Sequence, residues 1–204
     1  MRIAVVGAGV GGLACAVRLA SAGHAVTLLE QGPAPGGKAG RAELTTGGRT
    51  WRFDSGPSLL TMPWVVRALF EETDTPLPEL VPVEPVTRYV FADGSAVELS
   101  ADADASRAAL DAWAPGTGEE WTRFLATCAR MWAASQPFLT GPPPWPPRRP
   151  GPGEEPPDPR DLVRIKPWHT LRSLARAHTG DRRLQQVIER FATYAGADPR
   201  RAPA

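Results

Sequence analysis

Apolar residues fall into two rhythms along this chain, and each change of rhythm predicts an element. Near the N-terminus, Ile3 to Val6 and Ala25 to Leu29 are continuous apolar runs, and between them Leu13 to Ala22 is a helix-length stretch of Ala, Leu and Val. That order predicts strand, helix, strand. Thr50 to Phe53 predicts a short strand, and Val65, Val66, Leu69 and Phe70 predict a helix over Trp64 to Glu72, opened by Pro63. Two further runs, Val86 to Phe91 and Ala96 to Leu99, flank Asp93-Gly94 and read as a β-hairpin. Ala101 to Trp113 predicts a helix. From Glu119 to Gln136, Trp121, Phe124, Leu125, Cys128, Met131 and Trp132 form one helical stripe, either core or a face turned to lipid. His169 to His178 and Arg182 to Tyr194 read as two more helices, joined by Thr179-Gly180-Asp181.

Proline divides these patterns. Pro76, Pro78, Pro82 and Pro85 break the composition, which predicts an α/β Rossmann-like unit over residues 1–75 and an α+β unit over residues 76–204. Eleven of the 23 prolines lie between Pro137 and Pro159. At that density neither helix nor sheet is expected, so residues 137–160 read as a polyproline loop, a spacer or an SH3-type ligand.

The first strand runs into Gly7-Ala8-Gly9-Val10-Gly11-Gly12, and this changes the picture from fold to chemistry. Gly7 suits a tight turn, Gly9 lets backbone approach a pyrophosphate, and Gly12 lets the helix lie on the strands. Phosphate oxygens then meet the unpaired N–H groups at a helix N-terminus. Glu30 follows eighteen residues after Gly12, at the end of the second strand, where a carboxylate can accept the hydroxyls of an adenosine ribose. A carboxylate there repels a 2′-phosphate, favouring FAD or NAD over NADP. Gln31 to Arg41 holds four glycines, two prolines, Lys38 and Arg41, and reads as a flexible surface loop or a second phosphate cradle.

Composition removes several alternatives. A net charge of +1 gives no global case for nucleic acid. Cys15 and Cys128 make no disulfide framework, which suits a reduced, cytoplasmic setting. Arg18 interrupts the N-terminal apolar stretch, against a signal peptide, and no apolar run reaches membrane-spanning length. His24, His169 and His178 lie at no metal-ligand spacing, and no hydrolytic motif occurs.

The glycine motif with Leu13-Ala14, the segment Gly23 to Glu30, Gly36-Gly37-Lys38, and Phe53-Asp54-Ser55-Gly56-Pro57-Ser58 together resemble the N-terminal part of phytoene (carotenoid) desaturases, in the FAD-dependent amine-oxidase-like superfamily. Tyr89 to Gly94 and Tyr194 to Ala204 are similar to later segments of that family. The resemblance implies a flavin fold with an inserted substrate domain, dehydrogenating a long apolar isoprenoid, with peripheral membrane association open. It implies that Gly7, Gly9, Gly11 and Gly12 meet the pyrophosphate of FAD, Glu30 the ribose, Gly37 and Lys38 a second phosphate loop, and Gly56, Pro57 and Ser58 the flavin ring. It assigns no catalytic residue. Family members continue beyond the equivalent of Ala204, so the resemblance implies an N-terminal fragment or one half of a split enzyme, with the activity of the 204 residues alone open. The alternatives are an amine or protoporphyrinogen-type oxidase, and a non-catalytic interaction protein like the Rab GDP-dissociation inhibitors.

Overall fold

The protein is described by a computed structural model covering residues 1–140 and 158–203, and its chain forms two compact units, Met1–Pro82 and Val83–Ala204. The proline-rich stretch between 141 and 157 lies outside the described residues.

In the first unit β1 (Arg2–Val6) and β2 (Ala25–Leu29) pair in parallel, Arg2 opposite Ala25 and Val6 opposite Leu29. Parallel neighbours need a crossover, and α1 (Val10–Ser21) supplies it. The helix ends because Gly23 takes a positive φ of 82°. Its N–H then donates to Ala20 O (2.9 Å) and the His24 N–H to Leu19 O (3.1 Å), which satisfies the last carbonyls. A 3₁₀ turn at Gly37–Ala39 precedes β3 (Arg41–Thr46), which pairs antiparallel with β4 (Arg49–Asp54). Gly47 and Gly48 both have positive φ, as a two-residue hairpin loop matched to strand twist requires. The sequence pattern had shown β4 alone. Helix α2 (Pro63–Glu72) opens on its proline, and Arg18 Nε of α1 donates to Glu72 Oε2 at 2.8 Å.

This unit has almost no interior. Ala8, 1% exposed, is the one buried residue from Met1 to Pro82, while Val6 and Val10 are 82% and 66% exposed.

The second unit is built around a core. β5 (Thr87–Val90) and β6 (Ala96–Leu99) form the expected hairpin, its turn held by Asp93 Oδ1, which accepts from the Ser95 N–H (2.9 Å) and hydroxyl (2.6 Å). Helix α3 (Ala103–Trp113) starts at Asp102, whose carboxylate caps the Asp104 and Ala105 N–H groups. Helix α4 (Thr117–Thr140) crosses it closely: a Cβ on Gly118 would stand 2.3 Å from Arg107 O. Then follow α5 (Pro159–Ile165), α6 (Leu171–His178), α7 (Arg182–Glu189) and a 3₁₀ segment, Arg190–Ala195. Val97, Leu99, Leu110, Trp121, Phe124, Leu174, Leu184, Val187 and Ile188 make one buried cluster.

Three expectations are corrected. Helix α4 runs through Pro137 to Thr140, because losing one N–H near a helix end leaves the preceding turns intact. Helix α5 lies where no helix was expected; Asp158 caps it and Pro159 occupies its first turn. Helix α7 stops at Glu189, and tighter 3₁₀ bonding carries the chain on to Ala195. Of the stripe from Trp121 to Trp132, Trp121 and Phe124 are buried and Cys128 and Met131 pack on the same cluster, which makes that part core, while Leu125 and Trp132 are exposed.

Ile188→Ala should cost about 2–5 kcal/mol, since it opens a cavity at a fully buried site. A denaturant midpoint measures it. In hydrogen exchange, α7 amides should outlast those of β1 to β4; equal protection would contradict the difference in burial.

Candidate dinucleotide-binding site

The site grows from the end of β1. Gly7 takes φ +95°, and its N–H donates to Leu29 O at 2.7 Å, so the turn is tied to the end of β2. Gly12 must be glycine for a packing reason: a Cβ there would lie 1.9 Å from Gly7 O. That contact sets the helix directly on the turn. At Gly9 and Gly11 a Cβ would meet nothing within 4 Å, so the space above the helix start is open. Gly9 is the N-cap and brings no side chain to the first-turn N–H groups, which lack partners within the helix. The first turn of α1 contains no acidic residue. The result is an open cradle of N–H donors at the positive end of a helix, suited to phosphate oxygens.

The loop after β2 folds back onto this turn. Gly36 N–H donates to Ala8 O at 2.8 Å, and Gly9 and Gly36 form a parallel bridge. A Cβ on Gly37 would sit 3.1 Å from Gly9 Cα, so the two glycine segments touch through bare backbone. The third segment joins through residues 38–40. Ser55 N–H donates to Gly40 O at 2.9 Å, and a Cβ on Gly56 would fall 1.7 Å from Lys38 O. Gly7, Gly9, Gly11, Gly12, Gly37 and Gly56 are thus part of one continuous backbone surface. Lys38, Pro57 and Ser58 are exposed at its margin, whereas Arg41 lies in β3, paired opposite Asp54.

Glu30 closes the arrangement. Its Oε2 accepts from Ala8 N–H at 2.6 Å and its Oε1 from Gly32 N–H at 2.8 Å. Those N–H groups, Gly32 first and Ala8 second, hold its carboxyl below the usual carboxylate range. Sequence reasoning placed Gly36 in the second loop without giving it a contact, and gave Ala8 no role. Ala8 has no functional atom beyond its backbone, yet its C=O accepts from the Gly36 N–H and its N–H donates to Glu30. Only the glycine pair at Gly36-Gly37 could have signalled this. Among the described residues no group of three His, Cys, Asp or Glu side chains is placed to hold a metal ion, and no helix is long and apolar enough to cross a membrane.

Comparison with known proteins agrees with a dinucleotide site. The family profile of the NAD(P)-binding Rossmann-like domain matches residues 5–73. The chain is 35% identical to hydroxyneurosporene desaturase of Rhodobacter capsulatus, over 99% of its own length and 41% of the relative's. It is 29% identical to 4,4′-diapophytoene desaturase of Staphylococcus haemolyticus, over 100% and 40% of the two chains. With 4,4′-diapolycopene oxygenase of Methylomonas it shares 43% identity over 61% of this chain and 25% of that one. The chain spans about two fifths of the length of the curated desaturases that it matches end to end.

Two glycines should separate fold from binding. Gly12→Ala should destabilise the first unit by about 1–3 kcal/mol, because the helix must move off Gly7 O. Gly9→Ala meets open space and should leave melting unchanged while weakening dinucleotide binding. If both variants melt alike, the packing argument fails. Glu30 also gives a pH dependence. With its folded pKa lowered, its tethering of Ala8 and Gly32 is complete above the ordinary value of 4.5 and is lost as pH falls through the folded value. The Ala8 and Gly32 amide resonances should therefore titrate together with a midpoint below 4.5.

Proposed function

The chain belongs to the carotenoid and phytoene desaturase family, and on that footing we propose that it holds FAD and forms the cofactor-binding part of an oxidoreductase that introduces double bonds into a long isoprenoid. The observation that carries this is the convergence of three sequence-distant glycine segments, around Gly9, Gly37 and Gly56, into one backbone cradle with open space above it. A single phosphate loop needs only the first. A second loop fused to it suits a long dinucleotide whose pyrophosphate and distal half both run over bare backbone.

Each residue then has a task. Gly7 sets the turn, Gly9, Gly11 and Gly12 leave room for the pyrophosphate, and the first-turn N–H groups of α1 hold its oxygens. Glu30 accepts the adenosine ribose hydroxyls. Gly37 extends the cradle and Lys38 neutralises charge at its edge, while Gly56, Pro57 and Ser58 border the isoalloxazine ring. Bound there, a flavin supplies a two-electron acceptor for the hydrogen removed from a saturated carbon chain. The second unit contributes to the substrate side. A C40-type hydrocarbon resides in lipid, so the enzyme meets it at a bilayer surface.

The desaturase relatives support this chemistry over the oxidase alternatives. FAD is favoured over NADP because the ionised Glu30 repels a 2′-phosphate. The test is titration of the purified chain with FAD, NAD and NADP, read by melting temperature and flavin fluorescence. FAD should stabilise most, and Glu30→Ala should weaken its binding on the order of tenfold through loss of charge-assisted hydrogen bonds. Tightest binding of NADP, or FAD affinity indifferent to Glu30, would reject the assignment.

A further inference from the structure

Charge is unevenly distributed along the chain. From Arg160 to Ala204 there are ten Lys and Arg against four Asp and Glu, +6 in a chain whose net charge is +1. Part of that excess is concentrated in a cleft of 160 Å³ between α6 and α7, lined by Arg172, Arg176, Arg182, Gln185, Gln186 and Glu189.

The two helices face each other as a ladder. At one end Arg172 binds Glu189 through two parallel bonds, Nε to Oε1 at 2.8 Å and Nη2 to Oε2 at 2.7 Å. One turn on, Arg176 stands where the matching positions of α7 are Gln185 and Gln186, so the carboxylate that would complete a second rung is absent. Gln185 is committed through Nε2 to Thr179 O at 2.9 Å. Arg182 follows at the first residue of α7, where the helix dipole disfavours a cation, so helix stability does not account for its charge. Among the described residues neither Arg176 nor Arg182 has an ion-pair partner. Both are exposed, so their guanidinium groups are accessible.

We propose that this cleft binds a phosphate group, held by Arg176, Arg182 and the side-chain amide of Gln186. Guanidinium forks match tetrahedral oxyanions in two-point geometry, and the fixed Arg172–Glu189 pair forms one wall without supplying charge of its own. The phosphate comes from a lipid headgroup or from a soluble molecule. The site shares no residue with the glycine cradle and does not depend on the flavin reading.

The experiment uses the full chain in two arms. In the first, inorganic phosphate replaces chloride at constant ionic strength, so that general screening is unchanged, and binding is followed by calorimetry. In the second, the protein is floated with phosphatidylcholine vesicles containing phosphatidic acid, whose phosphate monoester is exposed, or phosphatidylserine. Arg176→Gln and Arg182→Gln should each weaken binding about tenfold, and together they should abolish it. Arg176→Lys should keep part of it, and Arg107→Gln, at an exposed arginine on α3, should change nothing. Circular dichroism melts verify that the variants are folded. Calorimetric binding lost in the double variant supports a soluble source, and flotation selective for phosphatidic acid and lost in the same variant supports a lipid source. Binding in neither arm, or binding undiminished in the double variant, as phosphate seated at the glycine turn would give, overturns the proposal.

Discussion

The nucleotide end of this molecule depends on one close approach, the seating of Gly12 against the carbonyl of Gly7. With a Cβ position only 1.9 Å from that oxygen, no other residue lets α1 begin where it does. The consequence reaches beyond packing. Because the helix starts against the turn, its unpaired N–H groups open onto the space over Gly9, and the loop from Gly36 can reach Ala8 O. The same rule repeats at Gly56 on Lys38 O, where a Cβ would fall 1.7 Å away. The cradle is therefore made of backbone pressed on backbone. Its shape is fixed by the absence of side chains rather than by contacts between them.

That economy leaves the first unit with little to hold it. Two parallel strands and one helix bury a single alanine, and the apolar Val6, Val10 and Leu29 face outward. Two-stranded sheets are marginal in water, and β1 and β2 each keep an unpaired edge among the described residues. The second unit inverts the balance: aromatic and aliphatic side chains from β6, α3, α4, α6 and α7 close one core. The proposed hydride chemistry on a flavin would require a site sealed from water. A surface as open as the first unit's does not provide that seal by itself, so binding geometry and protection from solvent are separable properties in this chain.

What the sequence made legible was local. The strand, glycine turn, helix and second strand lie within thirty residues and carry their own spacing, so their arrangement followed directly from the pattern. The Asp93-Gly94 hairpin was legible for the same reason. The meeting of Gly37 with Gly9, and of Gly56 with Lys38, was not, because backbone-to-backbone contact leaves no trace in residue chemistry. Strand β3 escaped notice since Arg41, Glu43 and Thr45 alternate with only Ala42 and Leu44, a weak apolar signal, although Gly47-Gly48 marked the turn. The α4 stripe was visible as a stripe, but periodicity cannot say whether protein or lipid covers it. The buried Leu174, Leu184 and Ile188 show that protein covers Trp121 and Phe124, while Leu125 and Trp132 stay exposed.

In the role proposed for Glu30, one residue serves both fold and ligand. An ionised carboxylate offers about four lone-pair sites, and two are taken by the Ala8 and Gly32 N–H groups. These bonds orient the side chain and hold it ionised near neutral pH, which keeps it an acceptor. The residue is exposed, so its remaining lone pairs are accessible. A ribose that donates to them completes the carboxylate's hydrogen bonding instead of displacing what is there. A 2′-phosphate, by contrast, would set one anion against another whose charge the backbone stabilises. The proposed preference among dinucleotides thus rests on the same Ala8 N–H that joins the glycine turn to Glu30, just past the end of β2, and on the Gly32 N–H beside it.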